Sequence, residues 1–599
     1  MNLTLTDPLF TDSQGLPMTS ERAQRKINQS PHLQKWIRAL SEDADTLMNE
    51  SIPTLDYTSF EAYLHNGERD AYQQPYFSRR RRLNAFAILL YLNPTNQTYQ
   101  SHLENILWAI CEEWTWCLPA HLNLDSAFNL SEKDPDAYKQ IDLFAAETAF
   151  SLAEIYSMHQ DRMPSLIKQR IRYEIDRRVL QPFLAFEHGW KQARHNWSAV
   201  CAGSIGACAI YLVDSNERLM EILTQCIQSV AYFEQGLTNE GVCQEGYHYW
   251  QYGFGYYIYF ADLLKKRTRG EIDLIKKPKI ERAAQFQQKV FMGKGTVANF
   301  SDAVENASPM LGLSHYLHAR YPDVHLPRTD LCASYGQDPC YRFAPAIRDL
   351  IWFDVTKEGK DWPAHESFFP EAQLLLATAT YKNKLIGFTA KGGHNDEPHN
   401  HNDLGHFMIF VDGISMLSDL GAGHYSKAYF GETRYEMLTN GSHGHSVPMI
   451  GGRLQKAELH ASASVHAFNK QSDEKRLILD LTNAYSLDSL KSFTREWRLN
   501  LEHGTVKLVD SFSLHSPEPI VERFVSLAEH IKIEPDRLIL SREDSSLSIF
   551  YFQNTWKLDV KRESFFTHSG VTQEVVLIDF ILNEAEGDRE FSFDFVIDS

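Results

Sequence analysis

GGHNDEPHNHNDLGHFMIFVDGISML, residues 392–417, changes character partway along its length. Positions 392–406 hold four histidines, three acids and three asparagines, and two apolar runs follow, FMIFV and ISML, separated only by Asp412-Gly413. Asp-Gly between two such runs is a strong signal for a two-residue β-hairpin. The stretch therefore predicts antiparallel strands entered from a segment rich in imidazole. Downstream the same period of two continues through RLILDLT, FTREWRLNL, TVKLVDSFSL, EVVLIDFIL and EFSFDFVI, and just upstream through QLLLATATY and KLIGFTA. Residues 370–599 accordingly read as an antiparallel β-sandwich.

Before about residue 355 the period is different. IDLFAAETAFSLAEIYSMH (141–159) and ERLMEILTQCIQSVAYFEQ (217–235) repeat apolar residues every three or four positions, the mark of helices in succession. The expectation is an α+β multidomain chain with helices over 1–355, residues 1 to about 40 forming an N-terminal extension, and a boundary within 352–372. A length of 599 residues exceeds what one core organises.

Composition narrows the function classes. Hydrophobic content of 43% and charged content of 23% are those of a globular protein. A net charge of −19 speaks against nucleic acid as a partner, which requires an extensive basic surface. No run reaches membrane-spanning length and the first residues lack the form of a secretory signal, so the chain reads as soluble and cytoplasmic, or periplasmic if its start has been trimmed. The eight cysteines show no CxxC spacing and read as small buried residues.

In an extended segment His399 and His401 would share one face, and two imidazoles so placed can share a metal that takes further ligands from elsewhere. Asp419, after the hairpin, and His445, in GSHGHSVPMIGG, are candidates. A polar surface loop is the plainer reading of an isolated HxH; here the apolar strands beside it favour a site.

HNHNDLGHFMIFVDGISMLSDLGAGHY followed by SHGHSVPMIGG resembles the signature region of the heparinase II/III-like polysaccharide lyases. EEWTWCLPAHLN (112–123), DLFAAETA (142–149), RHNWSAVCAGSIGACAI (194–210) and EGYHYWQYGFGYY (245–257) are similar to that group in matching order. The resemblance implies an N-terminal (α/α) toroid followed by a C-terminal antiparallel β-sandwich. It also implies cleavage of a uronic-acid-containing glycan by β-elimination. In such a reaction a base removes the C5 proton, an acid protonates the leaving oxygen, and preorganised donors stabilise the enolate-like charge.

By that resemblance the catalytic residues are Tyr249, His195, Asn196 and His399, with Tyr252 as the alternative tyrosine. Asn196 also reads as a helix N-cap before WSAVCAG. A tyrosine that serves as both base and acid needs a phenolic pKa lowered by nearby positive charge or hydrogen bonds, for which Arg194, the histidines and a metal are available. The motifs match His401, Asp419 and His445 to a structural Zn²⁺ site. Arg194, Trp250, Tyr252, Arg434 and Tyr435 are candidate substrate contacts, Arg434 having an ion pair with Glu432 or Glu436 as its plainer role. Of the four successive arginines Arg79, Arg80, Arg81 and Arg82, at most two can face a cleft, and solvated helix surface is expected for the others.

The implied partner is an acidic oligosaccharide or polysaccharide, first a glycosaminoglycan fragment from heparan sulfate, chondroitin or hyaluronan, and second an alginate oligosaccharide. A cytoplasmic location would suit exo-action on imported fragments. Three alternatives stand beside the lyase. An inverting glycoside hydrolase would use two carboxylic acids, for which Glu147 and Glu245 are candidates. A non-catalytic carbohydrate-binding protein would use the aromatic residues for stacking. A zinc-dependent hydrolase would use HNHND.

Overall fold

The computed structural model describes residues 18–122, 140–470 and 474–598. They form two compact units whose boundary crosses the sequence more than once. The helical unit takes the described residues up to Leu237 together with Trp250–Ala284 and Ser308–Asp361. The second unit takes Thr238–Tyr249, Gln285–Ala307 and the chain from Trp362 onward. Two segments that the sequence reading placed in the helical half thus fold with the strands.

Helix starts follow local chemistry. Thr19, Ser30, Asp56, Asn96 and Asp142 each accept a backbone N–H of the following first turn. The first two helices, Ser20–Gln29 and Pro31–Met48, bury Ala23, Ile27, Leu33, Trp36 and Leu40, so residues 20–40 belong to the helical core and are no extension. Leu143–His159 and Asn196–Leu212 are buried on nearly every side. The second of these lies against Gly255–Arg267 so closely that a Cβ on Gly206 would sit 2.3 Å from the Phe260 ring, which accounts for glycine at that position.

All four arginines of the 79–82 run are engaged within the helical unit. Arg80 forks onto Glu113 at 2.7 and 2.9 Å, Arg81 pairs with Asp43, Arg79 reaches Pro53 O and Glu113, and Arg82 binds the carbonyls of Leu47 and Glu50. They tie helix to helix; neither a solvated face nor a free cationic patch results.

In the second unit, Glu366–Phe369, Leu374–Tyr381, Lys384–Lys391, Phe407–Val411 and Ile414–Leu417 form a five-stranded antiparallel meander in chain order. A ten-stranded sheet is centred on the long paired strands Thr505–Ser526 and Thr572–Ile597. Leu375, Phe388, Phe407 and Ile409 from the first sheet share one core with Trp497, Phe524, Phe580 and Phe595 from the second, which makes the pair a sandwich. The predicted hairpin is present: Val411 pairs with Ile414, and Asp412 and Gly413 have φ of +52° and +82°. Among the described residues no helix is long and apolar enough to cross a membrane, and every described cysteine is free.

Asp349, in the helix Phe343–Trp352, is buried with its Oδ1 accepting Gly312 N–H at 2.7 Å, and burial pushes its carboxyl up to about 7. The folded state then holds a proton that the unfolded chain releases near its ordinary carboxylate value, so this group's contribution falls as pH rises from about 4 to 7. Asp349→Asn keeps the acceptor and removes the charge. Its denaturation midpoint, compared with the parent across that range, is expected to gain most at pH 7 and least at pH 4; a gain independent of pH would contradict this.

Candidate active site

Residues 392–406 are not extended, as their alternation had suggested, but an irregular loop leading into the strand Phe407–Val411. His399 has φ of +58°, a left-handed conformation uncommon for a residue with a Cβ. Loop curvature, not strand alternation, brings His399 and His401 to a common partner. That partner is Asp302, which the sequence reading did not single out.

Asp302 is almost fully buried and divides its two oxygens. Oδ2 accepts from His399 Nδ1 at 2.8 Å, while Oδ1 accepts from His401 Nε2 at 3.0 Å and Arg434 Nη2 at 3.0 Å and also receives the Tyr429 hydroxyl. Burial alone would raise its pKa; the hydrogen bonds from His399 and His401 and the charge of Arg434 prevail and hold it well below the ordinary range. The segment carrying it is fastened on both sides. Ser301 Oγ donates to Gln244 O at 3.1 Å, Ala422 N donates to Ala303 O at 3.0 Å, and Asn299 Nδ2 donates to Asp419 O at 3.2 Å.

Because His399 donates from Nδ1, its Nε2 carries the lone pair, 3.9 Å from Glu245 Oε2. Its ring stacks on Tyr249, with centroids 4.1 Å apart and planes at 22°. The Tyr249 hydroxyl meets that of Tyr425 at 2.7 Å. The lowered phenol expected from the sequence is reversed here: burial and then the Asp302 carboxylate raise Tyr249 well above the ordinary tyrosine value, so it is a neutral O–H donor. The site thus holds a histidine with an orienting carboxylate and a stacked phenol, the elements of an acid–base pair.

A second cluster lies behind His401. Ligand atoms of His401, Asp419 and His445 all fall within 4.8 Å of one another, and all three side chains are buried. The hydrogen bonds fix the tautomers. His401 donates from Nε2 to Asp302, and His445 donates from Nδ1 to Gly441 O at 2.9 Å, so their lone pairs lie on Nδ1 and Nε2. Those two nitrogens and Asp419 Oδ2 are buried without a hydrogen-bond partner, and the set fits a cation with nitrogen and oxygen ligands. His406 differs. Its Nδ1 accepts Ser446 N–H at 2.9 Å, so its proton sits on Nε2, 3.4 Å from Asp419 Oδ2 without a hydrogen bond to it.

The remaining candidates are placed as follows. Arg434 binds Asp302, Asn400 O and Tyr429 O, so its partner is not Glu432 or Glu436 and its donors serve the site's own loops. Tyr435 lies beside it, 5.8 Å from the guanidinium. Arg194, His195, Asn196, Trp250 and Tyr252 belong to the helical unit. Trp250 is fully buried with its indole donating to Ala283 O at 2.8 Å, which makes it a core residue and no sugar platform. Tyr252 donates to Glu147 beneath the Arg342 guanidinium. The N-cap before WSAVCAG is His195, whose Nδ1 accepts Trp197 N–H at 3.5 Å; Asn196 is the first helical residue and Arg194 is exposed.

Asp302, Tyr425 and Tyr429 were missed by the sequence reading, and Glu245, a candidate there only as a hydrolase acid, stands beside His399. Tyr425 stood inside a quoted motif, DLGAGHY, but nothing local marked it. Asp302 lies in NFSDAVENAS, outside every motif quoted from the sequence.

Residues 368–594 match the family model described as Heparinase II/III-like, C-terminal. The sandwich is thus similar to the C-terminal domain of that family. Solved structures extend the likeness to the architecture. A heparinase III is 12% identical, with a TM-score of 0.63 over 97% of this chain and 94% of that one. The heparan sulfate lyase HepC from Pedobacter heparinus is 11% identical, with a TM-score of 0.58 over 97% and 93%. The chondroitin AC lyase of Streptomyces coelicolor A3, solved in complex with chondroitin sulphate, is 9% identical, with a TM-score of 0.55 over 97% and 83%. At such identities the likeness establishes a shared fold, the toroid followed by a β-sandwich. No curated protein matches the chain.

Removing the Asp302 carboxylate strands the Arg434 guanidinium and three further donors in a buried place. Asp302→Ala is therefore expected to cost about 3–5 kcal/mol in denaturant unfolding, whereas Tyr425→Phe, which deletes one hydroxyl contact, should cost about 1 kcal/mol. Equal losses would contradict Asp302 as the shared anchor.

Proposed function

We propose that this protein is a polysaccharide lyase that cleaves a uronic-acid-containing glycan by β-elimination. The observation that carries the reading is the stacked Tyr249–His399 pair, with His399, oriented by Asp302, on a loop of the segment that matches the heparinase II/III-like C-terminal model. His399 Nε2 takes the proton from C5 of the uronate. As the C4–O4 bond breaks, its electron pair leaves with O4, the C5–H pair becomes the C4=C5 double bond, and the Tyr249 hydroxyl protonates O4. The proton on His399 then returns to the Tyr249 phenolate through solvent, which restores both groups. The raised phenol suits Tyr249 to the acid step, and the Asp302 carboxylate holds the proton on His399 Nδ1, which leaves Nε2 as the base.

A glycosaminoglycan fragment is the substrate class the fold relatives favour, with oligoalginate second. One neighbour of the same fold is recorded with chondroitin sulphate bound. A hydrolase reading has less support, because Glu147 is tied up by Tyr252, Tyr256 and Arg342. His401 Nδ1, His445 Nε2 and Asp419 Oδ2 would hold Zn²⁺ as a structural ion. Bound there, it would supply a fixed positive charge that joins the 392–406 loop to the 419 and 445 loops.

Ultraviolet absorbance of the protein mixed with heparan, chondroitin, hyaluronan or alginate oligosaccharides tests the reaction. The expected result is rising absorbance from an unsaturated uronate, with product masses summing to that of the parent. Cleavage with gain of water would contradict elimination. Tyr249→Phe should lower kcat by about 10²–10⁴-fold with the fold intact; near-normal turnover would remove its proposed role. His401→Ala should lower bound zinc per chain and the unfolding temperature together, and full zinc content in that variant would overturn the ligand assignment.

A further inference from the structure

The strands Lys557–Phe566 and Thr572–Ile597 form a hairpin whose tip, Thr567–Val571, returns to the candidate active site. Thr567 pairs with Gly423 as an isolated bridge. His568 Nδ1 donates to Gly423 O at 3.2 Å, and the His568 ring stands edge-on to Tyr425, with centroids 4.5 Å apart and planes at 84°. Tyr425 is the residue whose hydroxyl meets that of Tyr249. The seating is close: a Cβ on Gly570, which has φ of +76°, would lie 3.3 Å from the His424 ring.

His568 nevertheless remains exposed. With Nδ1 committed to a backbone carbonyl, Nε2 is the ring's remaining polar atom, and in that tautomer it is an acceptor. A histidine used only to pack the tip would not need to stand at the surface. Fixed at Nδ1 and along its ring edge, this one loses little freedom when a ligand is bound.

We propose that the hairpin tip forms a wall of the substrate site and that His568 is a specificity-determining residue, its Nε2 accepting a hydrogen bond from a sugar hydroxyl or N-acetyl N–H beside the scissile linkage. A neutral acceptor there favours an unsulfated position, since a sulfate would set oxygen lone pairs against the nitrogen lone pair. The inference rests on the lyase reading and on Tyr249 being part of the site.

The test measures kcat and KM for the full-length protein, His568→Ala and His568→Lys on matched unsulfated and sulfated oligosaccharides. Binding is measured by calorimetry in the Tyr249→Phe background with and without His568→Ala. Loss of one neutral hydrogen bond predicts about a 5-fold rise in KM and in Kd for the unsulfated ligand. It also predicts little change in kcat and a reduced preference over the sulfated ligand, and His568→Lys is expected to reverse that preference. If His568→Ala does not fold, His568→Gln and His568→Lys carry the same comparison. An unchanged KM across the panel, or a fall in kcat with KM unchanged, overturns the proposal while turnover by the parent leaves the lyase reading intact. Absence of cleavage by the parent and of binding in the Tyr249→Phe background removes both.

Discussion

One buried carboxylate, Asp302, holds the candidate site together. Its Oδ2 fixes the Nδ1 proton of His399, and its Oδ1 fixes the Nε2 proton of His401. The first bond leaves a lone pair on the His399 nitrogen proposed to take a substrate proton; the second leaves a lone pair on the His401 nitrogen proposed to bind a cation. Arg434 and Tyr429 donate to the same group and supply the compensation that a buried negative charge requires. Few side chains can be exchanged around such a group without leaving a donor stranded.

The sandwich reinforces this arrangement from behind. Arg495, on the strand Leu490–Asn500 and fully buried, forks onto Asp510, reaches Glu522 at 3.0 Å, and donates to Gly405 O at 2.9 Å and Ser446 O at 2.8 Å. Those carbonyls flank His406 and His445, so a residue of the large sheet holds the loops that carry both. Lys391, at the end of the strand Lys384–Lys391, binds Asp403 at 2.8 Å in the same loop. Loops of irregular backbone are thereby made rigid by buried charged groups, each paired with another.

Much of the architecture was legible because it depends on short-range periodicity. The change from a period of three or four to a period of two, and the Asp412-Gly413 turn, needed only neighbours in sequence. The division of the chain was not legible, because Thr238–Tyr249 and Gln285–Ala307 join the sandwich through contacts with residues far along the chain. The same reason hid Asp302, whose partners His399 and His401 lie 97 and 99 residues away. The direction of the Tyr249 pKa also escaped the sequence, since burial and an unseen carboxylate decide it. Trp250 shows the complementary failure: an aromatic motif does not reveal which rings face outward.

The most direct test of the shared-carboxylate account is anomalous X-ray diffraction at the zinc edge from crystals grown with Zn²⁺. The account predicts a single strong peak bounded by His401 Nδ1, Asp419 and His445 Nε2, with Asp302 outside the coordination sphere and still spanning His399 and His401. A peak bound directly by Asp302, or one on His399 instead of His401, would contradict it.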